Sequence, residues 1–155
     1  MIAENILELL QDRNETLAVA ESVTGGGISK AITDVPGSSA VFLGGFVTYA
    51  TASKVELLGI SSEMIEEHGV VSEEVALAMA RSVRAKVGAT WSIATTGVAG
   101  PGPHHGIPAG VVWIAISGPR EQTERLALGD LGRDQVRGGA VTGALALLSR
   151  ILRSG

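Results

Sequence analysis

The chain has 155 residues, a formal net charge of −4 and no cysteine. That length fits one domain able to bury a core unaided, and the missing thiols exclude disulfides, thiolate metal sites and a cysteine nucleophile. Acids and bases are interspersed and aromatics are scarce, which argues against the basic patch or stacking platform of a nucleic-acid binder.

In chain order, Ile2, Ile6, Leu9 and Leu10 recur at helical spacing, so residues 2–12 read as an amphipathic helix. Glu4 and Glu8 interrupt this stretch and no basic n-region precedes it, unlike a secretory signal. No segment has the roughly 18 uninterrupted apolar residues of a membrane span; a soluble, cytoplasmic protein is expected. "TLAVAES" (16–22) reads as a buried strand, followed by three glycines and a helix, "ISKAITDV", that Pro36-Gly37 stops. "AVFLGGFVTYA" (40–50) reads as a second buried strand, and "SKVELLGI" as a short helix ending near Gly59. Ser72 with Glu73-Glu74 caps a helix whose inner face is Val75, Met79, Val83 and Val87. "TWSIATTG" (90–97) is a third buried strand that opens into a glycine-rich loop. "VVWIAIS" (111–117) and "TERLALG" (123–129) form a hairpin pair, and a last helix runs from about Asp134 to Leu152.

Strands alternate with helices and then two strands adjoin. This order predicts a layered α/β domain with a mixed sheet, mainly parallel with one antiparallel member. In such sheets ligands bind beyond the carboxyl ends of the parallel strands. Three loops fall there: Ser22 to Gly26, Tyr49 to Lys54 and Thr96 to Gly102.

Each loop has a functional and a structural reading. Backbone N–H groups of Thr24, Gly25 and Gly26 at a helix start suit an oxyanion or phosphate; alternatively Ser22 or Thr24 only caps that helix. Lys54, partly desolvated at a strand end, is a candidate base, and Tyr49 lies five residues before it; both are alternatively surface or core-edge residues. Thr95 and Thr96 close an apolar strand, so at least one hydroxyl faces the crevice. His104-His105 lack metal-pair spacing and read as solvated loop residues, and His68 reads as a helix-end cation. No catalytic metal is expected. Arg133 and Arg137, one turn apart, pair with acids of a neighbouring helix or reach an anionic ligand.

Taken together, "AESVTGG", "DVPGSSAVFLGGFVTYATASKVELLGI", "HGVVSEEVALAMA", "TTGVAGPGP", "GVVWIAI" and "RDQVRGGAVTGAL" resemble the CinA carboxy-terminal domain family over about residues 5–152. That family includes stand-alone nicotinamide-nucleotide amidases. The resemblance implies a three-layer α/β/α sandwich, oligomeric assembly (here a homo-oligomer), and no metal or organic cofactor. It also implies a nucleophile at Ser22, functional positions at Tyr49, Lys54 and Thr96, and an arginine at Arg133. Val23 stands where the family usually has Cys, Ala50-Thr51 where it has Ser-Asn, and "PHHGIPAG" replaces its commoner Gly-rich, Lys-Pro-containing loop.

The activity so implied is deamidation of nicotinamide mononucleotide. In it Ser22 attacks the carboxamide, Lys54 is its base, and Tyr49 relays or orients the proton. Thr24, Gly25 and Gly26 hold the oxyanion, while Thr96, Gly97, Gly100 and Arg133 bind ribose and phosphate. The partner is a small nucleotide, with neither nucleic acid nor membrane. One alternative is a catalytically silent nucleotide-binding domain of the same fold. A structural oligomerisation module is another, but it leaves the glycine loops unexplained.

Overall fold

The computed structural model describes residues 1–155. Strands β1 (Leu17–Glu21), β2 (Phe42–Val47), β3 (Trp91–Gly97), β4 (Val111–Ser117) and β5 (Gln122–Ala127) form one sheet in the order β2-β1-β3-β4-β5. Both β2 and β3 pair with β1 in parallel, and β3–β4 and β4–β5 are antiparallel. Only β4 therefore runs against the other four, as the sequence predicts.

Six helices cover the two faces: α1 (Ile2–Asp12), α2 (Gly27–Thr33), α3 (Thr51–Leu58), α4 (Ser62–His68), α5 (Glu73–Val87) and α6 (Arg133–Arg153). Side chains alternate across a strand, and the two faces differ in kind. Leu17, Val19, Ile93, Ile114 and Ile116 point into a core shared with α1, α2 and α6. Ala18, Ala20, Ala94 and Ala115 point the other way, toward Val75, Met79 and Val83 of α5. The alanine face lets α5 lie close across β1, β3 and β4, while the branched face fills the wider gap beneath α6. This is the three-layer α/β/α sandwich.

Two expectations need correction. The segment 40–50 is not a buried strand: β2 is an edge strand in which half-buried and exposed residues alternate, leaving Leu43 and Val47 about half exposed. Its apolar run resembles a central strand because glycines and small residues carry no polar signal for an edge. Helix α4 has no counterpart among the elements that the sequence predicts. Its start is nonetheless encoded, since the Ser61 hydroxyl accepts the Met64 N–H at 3.2 Å. The cap foreseen at Ser72 is present, accepting the Val75 N–H at 3.2 Å, and His68 ends α4.

Two glycines give a test of the packing. Gly110 has φ +90°, and a Cβ there would sit 2.2 Å from the Gly129 carbonyl oxygen, a backbone atom. Gly138, on α6, would place a Cβ in open space. Gly110→Ala is expected to lower stability by at least about 2 kcal/mol. Gly138→Ala is expected to raise it by roughly 0.5–1 kcal/mol; urea unfolding of both variants checks the pair.

Candidate active site

The sheet register brings distant residues into one row. Ala18 pairs with Gly44 and Val19 with Gly45, an offset of 26, so residue 22 comes level with residue 48. Leu17 pairs with Trp91 and Ala20 with Ala94, an offset of 74, so residue 22 comes level with residue 96 on the other side. Thr48, Ser22 and Thr96 thus stand side by side at the carboxyl ends of three parallel strands. The β-alternation then sorts the side chains. Glu21 and Thr95 follow the α2/α6 face, whereas Ser22 and Thr96 follow the α3/α5 face.

Helix α3 begins just past β2, and its inward positions Lys54 and Leu58 are one turn apart and buried. Lys54 is only 1 % exposed and Ser22 7 %. The Lys54 Nζ lies 2.9 Å from the Ser22 Oγ, 2.7 Å from the Thr48 carbonyl oxygen and 3.4 Å from the Tyr49 carbonyl oxygen. No carboxylate pairs with it. Burial therefore lowers its pKa to about 8, because desolvation disfavours the ammonium and no opposing charge compensates. In the neutral amine, two N–H bonds serve the two carbonyls, which can only accept. The lone pair is then left facing the Ser22 hydroxyl.

The Glu21 carboxylate, to which no sequence motif assigns a role, organises the other side of this strand end. It is fully buried. One oxygen accepts from the Thr24 hydroxyl at 2.6 Å and the Ile28 N–H at 2.9 Å; the other accepts from the Ser29 N–H at 2.9 Å and the Ser29 hydroxyl at 2.7 Å. Glu21 thus satisfies the start of α2 from the strand behind it. The signal was its phase: an acid at position 21 continues the inward series of Leu17 and Val19.

This changes the reading of the glycine row. Neither Ser22 nor Thr24 caps α2; its N-cap is Gly26, and Glu21 takes the free amides. Thr24 is buried against Glu21 and Thr95, and the Gly25 N–H is spent on the Ser22 carbonyl at 3.0 Å. Thr24, Gly25 and Gly26 do not line the cavity above Ser22, so they are not placed to hold an oxyanion. The row is instead a tight corner. Gly25 has φ +59°, and a Cβ there would come 2.8 Å from a guanidinium nitrogen of Arg137.

The cavity of about 260 Å3 is bordered by Ser22, Lys54, Tyr49, Thr96 and Arg133, with Gly97 and Gly100 in its loop wall. Tyr49 does not approach the amine through its phenol. That side chain is 60 % exposed, and its oxygen accepts from Arg133 at 2.9 Å; only its backbone carbonyl reaches Lys54. A proton relay through the phenol is therefore not supported. The Thr96 hydroxyl donates to the Val70 carbonyl at 2.8 Å, leaving it an acceptor toward the cavity, while Thr95 turns away to Thr24. Arg133 also donates to the Gly100 carbonyl at 2.5 Å. Neither Arg133 nor Arg137 has a carboxylate partner, so the pairing with a neighbouring helix does not occur. Arg137 reaches the Thr24 carbonyl instead, at 3.4 Å.

Asp130, also unforeseen, accepts the Gly102 N–H at 3.1 Å and steadies the glycine loop. Val23 and Ala99 border the cavity, and their N–H groups make no hydrogen bond within the chain.

Fold and site together define an α/β/α sandwich protein with a buried serine–lysine pair at the carboxyl edge of its sheet. The family model described as the CinA C-terminal domain matches residues 1–152, and the chain belongs to that family. A CinA-like protein of Prochlorococcus marinus is 51 % identical over 119 residues, which cover 76 % of this chain and 28 % of that protein. The crystal structure of competence/damage inducible protein CihA from Agrobacterium tumefaciens has a TM-score of 0.93 and 35 % identity, covering 98 % of this chain and 93 % of that one. The competence damage-inducible protein A (ComA) from Klebsiella pneumoniae has a TM-score of 0.95 and 32 % identity, covering 98 % and 95 %. The chain spans about a third of the length of the curated relatives it matches. No helix is long and apolar enough to cross a membrane.

The buried amine makes stability depend on pH. Its folded pKa is about 8 against an ordinary 10.5, so between these values the unfolded chain binds the extra proton and stability rises with pH. Relative to Lys54→Met, the wild type should gain on the order of 3 kcal/mol from below the first value to above the second. Denaturant titrations of both proteins across that window measure the gain. Glu21→Gln should cost about 2 kcal/mol at neutral pH by the same measurement, since the amide cannot accept from all four donors.

Proposed function

We propose that this domain is an amidohydrolase that deamidates nicotinamide mononucleotide to nicotinic acid mononucleotide and ammonia. The observation that carries this reading is the 2.9 Å contact between the Lys54 amine and the Ser22 hydroxyl in a buried, acid-free setting. A serine is a weak nucleophile at neutral pH unless an adjacent base takes its proton, and an amine with a pKa of about 8 is that base.

In the proposed reaction the Ser22 Oγ attacks the carboxamide carbon while its proton passes to the Lys54 Nζ. Collapse of the tetrahedral intermediate breaks the C–N bond, and Lys54 returns the proton to the departing nitrogen as ammonia. Water, deprotonated by the same amine, then attacks the acyl–serine ester; Lys54 returns that proton to the departing Ser22 Oγ, and the product acid loses its own proton to solvent as the carboxylate. The unspent N–H groups of Val23 and Ala99 are the donors offered to the developing oxyanion, a type of contact commonly worth about 3 kcal/mol per donor. Arg133, without an acidic partner, holds the phosphate. The cavity lining carries the Arg133 cation and no carboxylate, which suits an anionic substrate. No other chain enters this scheme, though the assembly we propose is a homo-oligomer.

Ammonia release from nicotinamide mononucleotide by the purified chain tests the reading. Ser22→Ala and Lys54→Ala should each lower kcat/KM by about a thousandfold or more. Wild-type kcat/KM should rise with pH along a limb centred near the pKa of about 8. Nucleotide binding without any ammonia release by the wild type would replace the amidase with a silent nucleotide-binding domain.

A further inference from the structure

The segment that leads from β5 into α6 meets the loop after β3 at two points. Asp130 accepts the Gly102 N–H at 3.1 Å, and Arg133, three residues further on, donates to the Gly100 carbonyl at 2.5 Å. The carboxylate also lies against the turn itself, since a Cβ on Gly100 would come 2.8 Å from one of its oxygens. Gly100 and Gly102 have φ of +86° and +74°, a backbone that side chains rarely adopt, so the turn is shaped for this close approach. The base of the loop is pinned independently. There the Gly110 N–H donates to the Val98 carbonyl at 2.8 Å, and the Leu128 N–H to the Gly110 carbonyl at 2.9 Å. At the turn the means are fewer: Pro101 and Pro103 carry no N–H, so Gly102 supplies the one amide by which residues 101–103 are held.

An acid three residues before an arginine is well placed to pair with it, yet no ion pair joins Asp130 to Arg133. The carboxylate is spent on a backbone amide. The guanidinium is spent on two neutral acceptors, the Gly100 carbonyl and the Tyr49 hydroxyl at 2.9 Å. A guanidinium has five N–H donors, so Arg133 keeps donors for an anion, and no neighbouring carboxylate neutralises it. The Gly100 carbonyl can aim that side chain only while the turn that carries it stays in place.

We propose that Asp130 is a positioning residue for anion recognition: it holds the 100–102 turn, and the Gly100 carbonyl of that turn orients Arg133 toward the phosphate of the nucleotide. The inference rests on the reading of Arg133 as the group that holds the phosphate. Asp130 does not border the cavity, whereas Gly100, Gly102 and Arg133 do, so it acts through them and not on the ligand. What the turn requires at position 130 is a hydrogen-bond acceptor, not a negative charge.

Calorimetry with nicotinamide mononucleotide, on the full chain carrying Ser22→Ala to prevent turnover, measures the affinity. Adding Asp130→Ala should weaken binding about tenfold, the scale of one hydrogen bond to a charged group put out of place. Asp130→Asn, whose amide oxygen still accepts the Gly102 N–H, should bind within about twofold of the parent. In an Arg133→Met background Asp130→Ala should bring no further loss, because the residue acts through that arginine. Four results would overturn the inference: unchanged affinity in Asp130→Ala, an Asn variant as weak as the Ala one, losses that add to that of Arg133→Met, or no binding of the mononucleotide. Ammonia release by the protein that retains Ser22 separates the two readings. Turnover with no effect of Asp130→Ala on binding ends this inference and leaves the amidase, whereas the expected binding pattern without ammonia release ends the amidase alone.

Discussion

A buried lysine amine without a carboxylate partner is the constraint around which this end of the molecule is arranged. Moving an ammonium out of water costs several kcal/mol unless other groups replace its hydration. Here the replacements are two backbone carbonyls and one hydroxyl, at the ends of different elements. Each must be held in place for the lysine to be tolerated at all. Thr48 is tied back to β1 through the 2.8 Å bond from its N–H to the Glu21 carbonyl, and Ser22 follows Glu21 directly. The residue that anchors α2 also borders two of the amine's three partners, Ser22 and Thr48, so the serine–lysine geometry and the strand–helix junction are one piece of structure.

The two faces of the sheet divide the labour. On the α2/α6 face, Glu21, Thr24 and Thr95 form a closed polar network that spends its hydrogen bonds on scaffolding. On the α3/α5 face, Ser22, Thr96 and Lys54 border open space. Neighbouring polar residues, Thr95 beside Thr96 and Glu21 beside Ser22, have opposite fates because the pleat turns them to opposite sides. Alanines on the second face let α5 approach closely, which leaves the cavity beyond the strand ends rather than beneath them. The corner glycines serve this arrangement as space for Arg137 and for close approach, not as ligand donors.

Parts of this were legible in the sequence. Ser22, Lys54 and Thr96 stood out as polar residues ending apolar runs, which is how a site at the carboxyl edge of a parallel sheet reads along a chain. Position alone, however, does not tell a side-chain role from a backbone one. Tyr49 lies where expected, yet its carbonyl rather than its phenol meets the amine. Thr24 to Gly26 have the composition of an anion-binding loop, but a carboxylate from the preceding strand already occupies the helix start. The exposure of β2 is not written in its residues, because Phe42, Gly44, Gly45 and Phe46 read alike in an edge strand and a central one.

The alternation of elements, the single reversed strand and the residues that end the parallel strands can be read from the chain alone. Those features follow from local periodicity and chain order, which are written in one dimension. That Ser22 and Lys54 touch, that Glu21 accepts the first amides of α2, and that Arg133 and Arg137 are left without acids emerges only on folding. Those facts depend on strand register and on which competing hydrogen-bond partner arrives first in space, and neither is recorded in the spacing of residues along the chain.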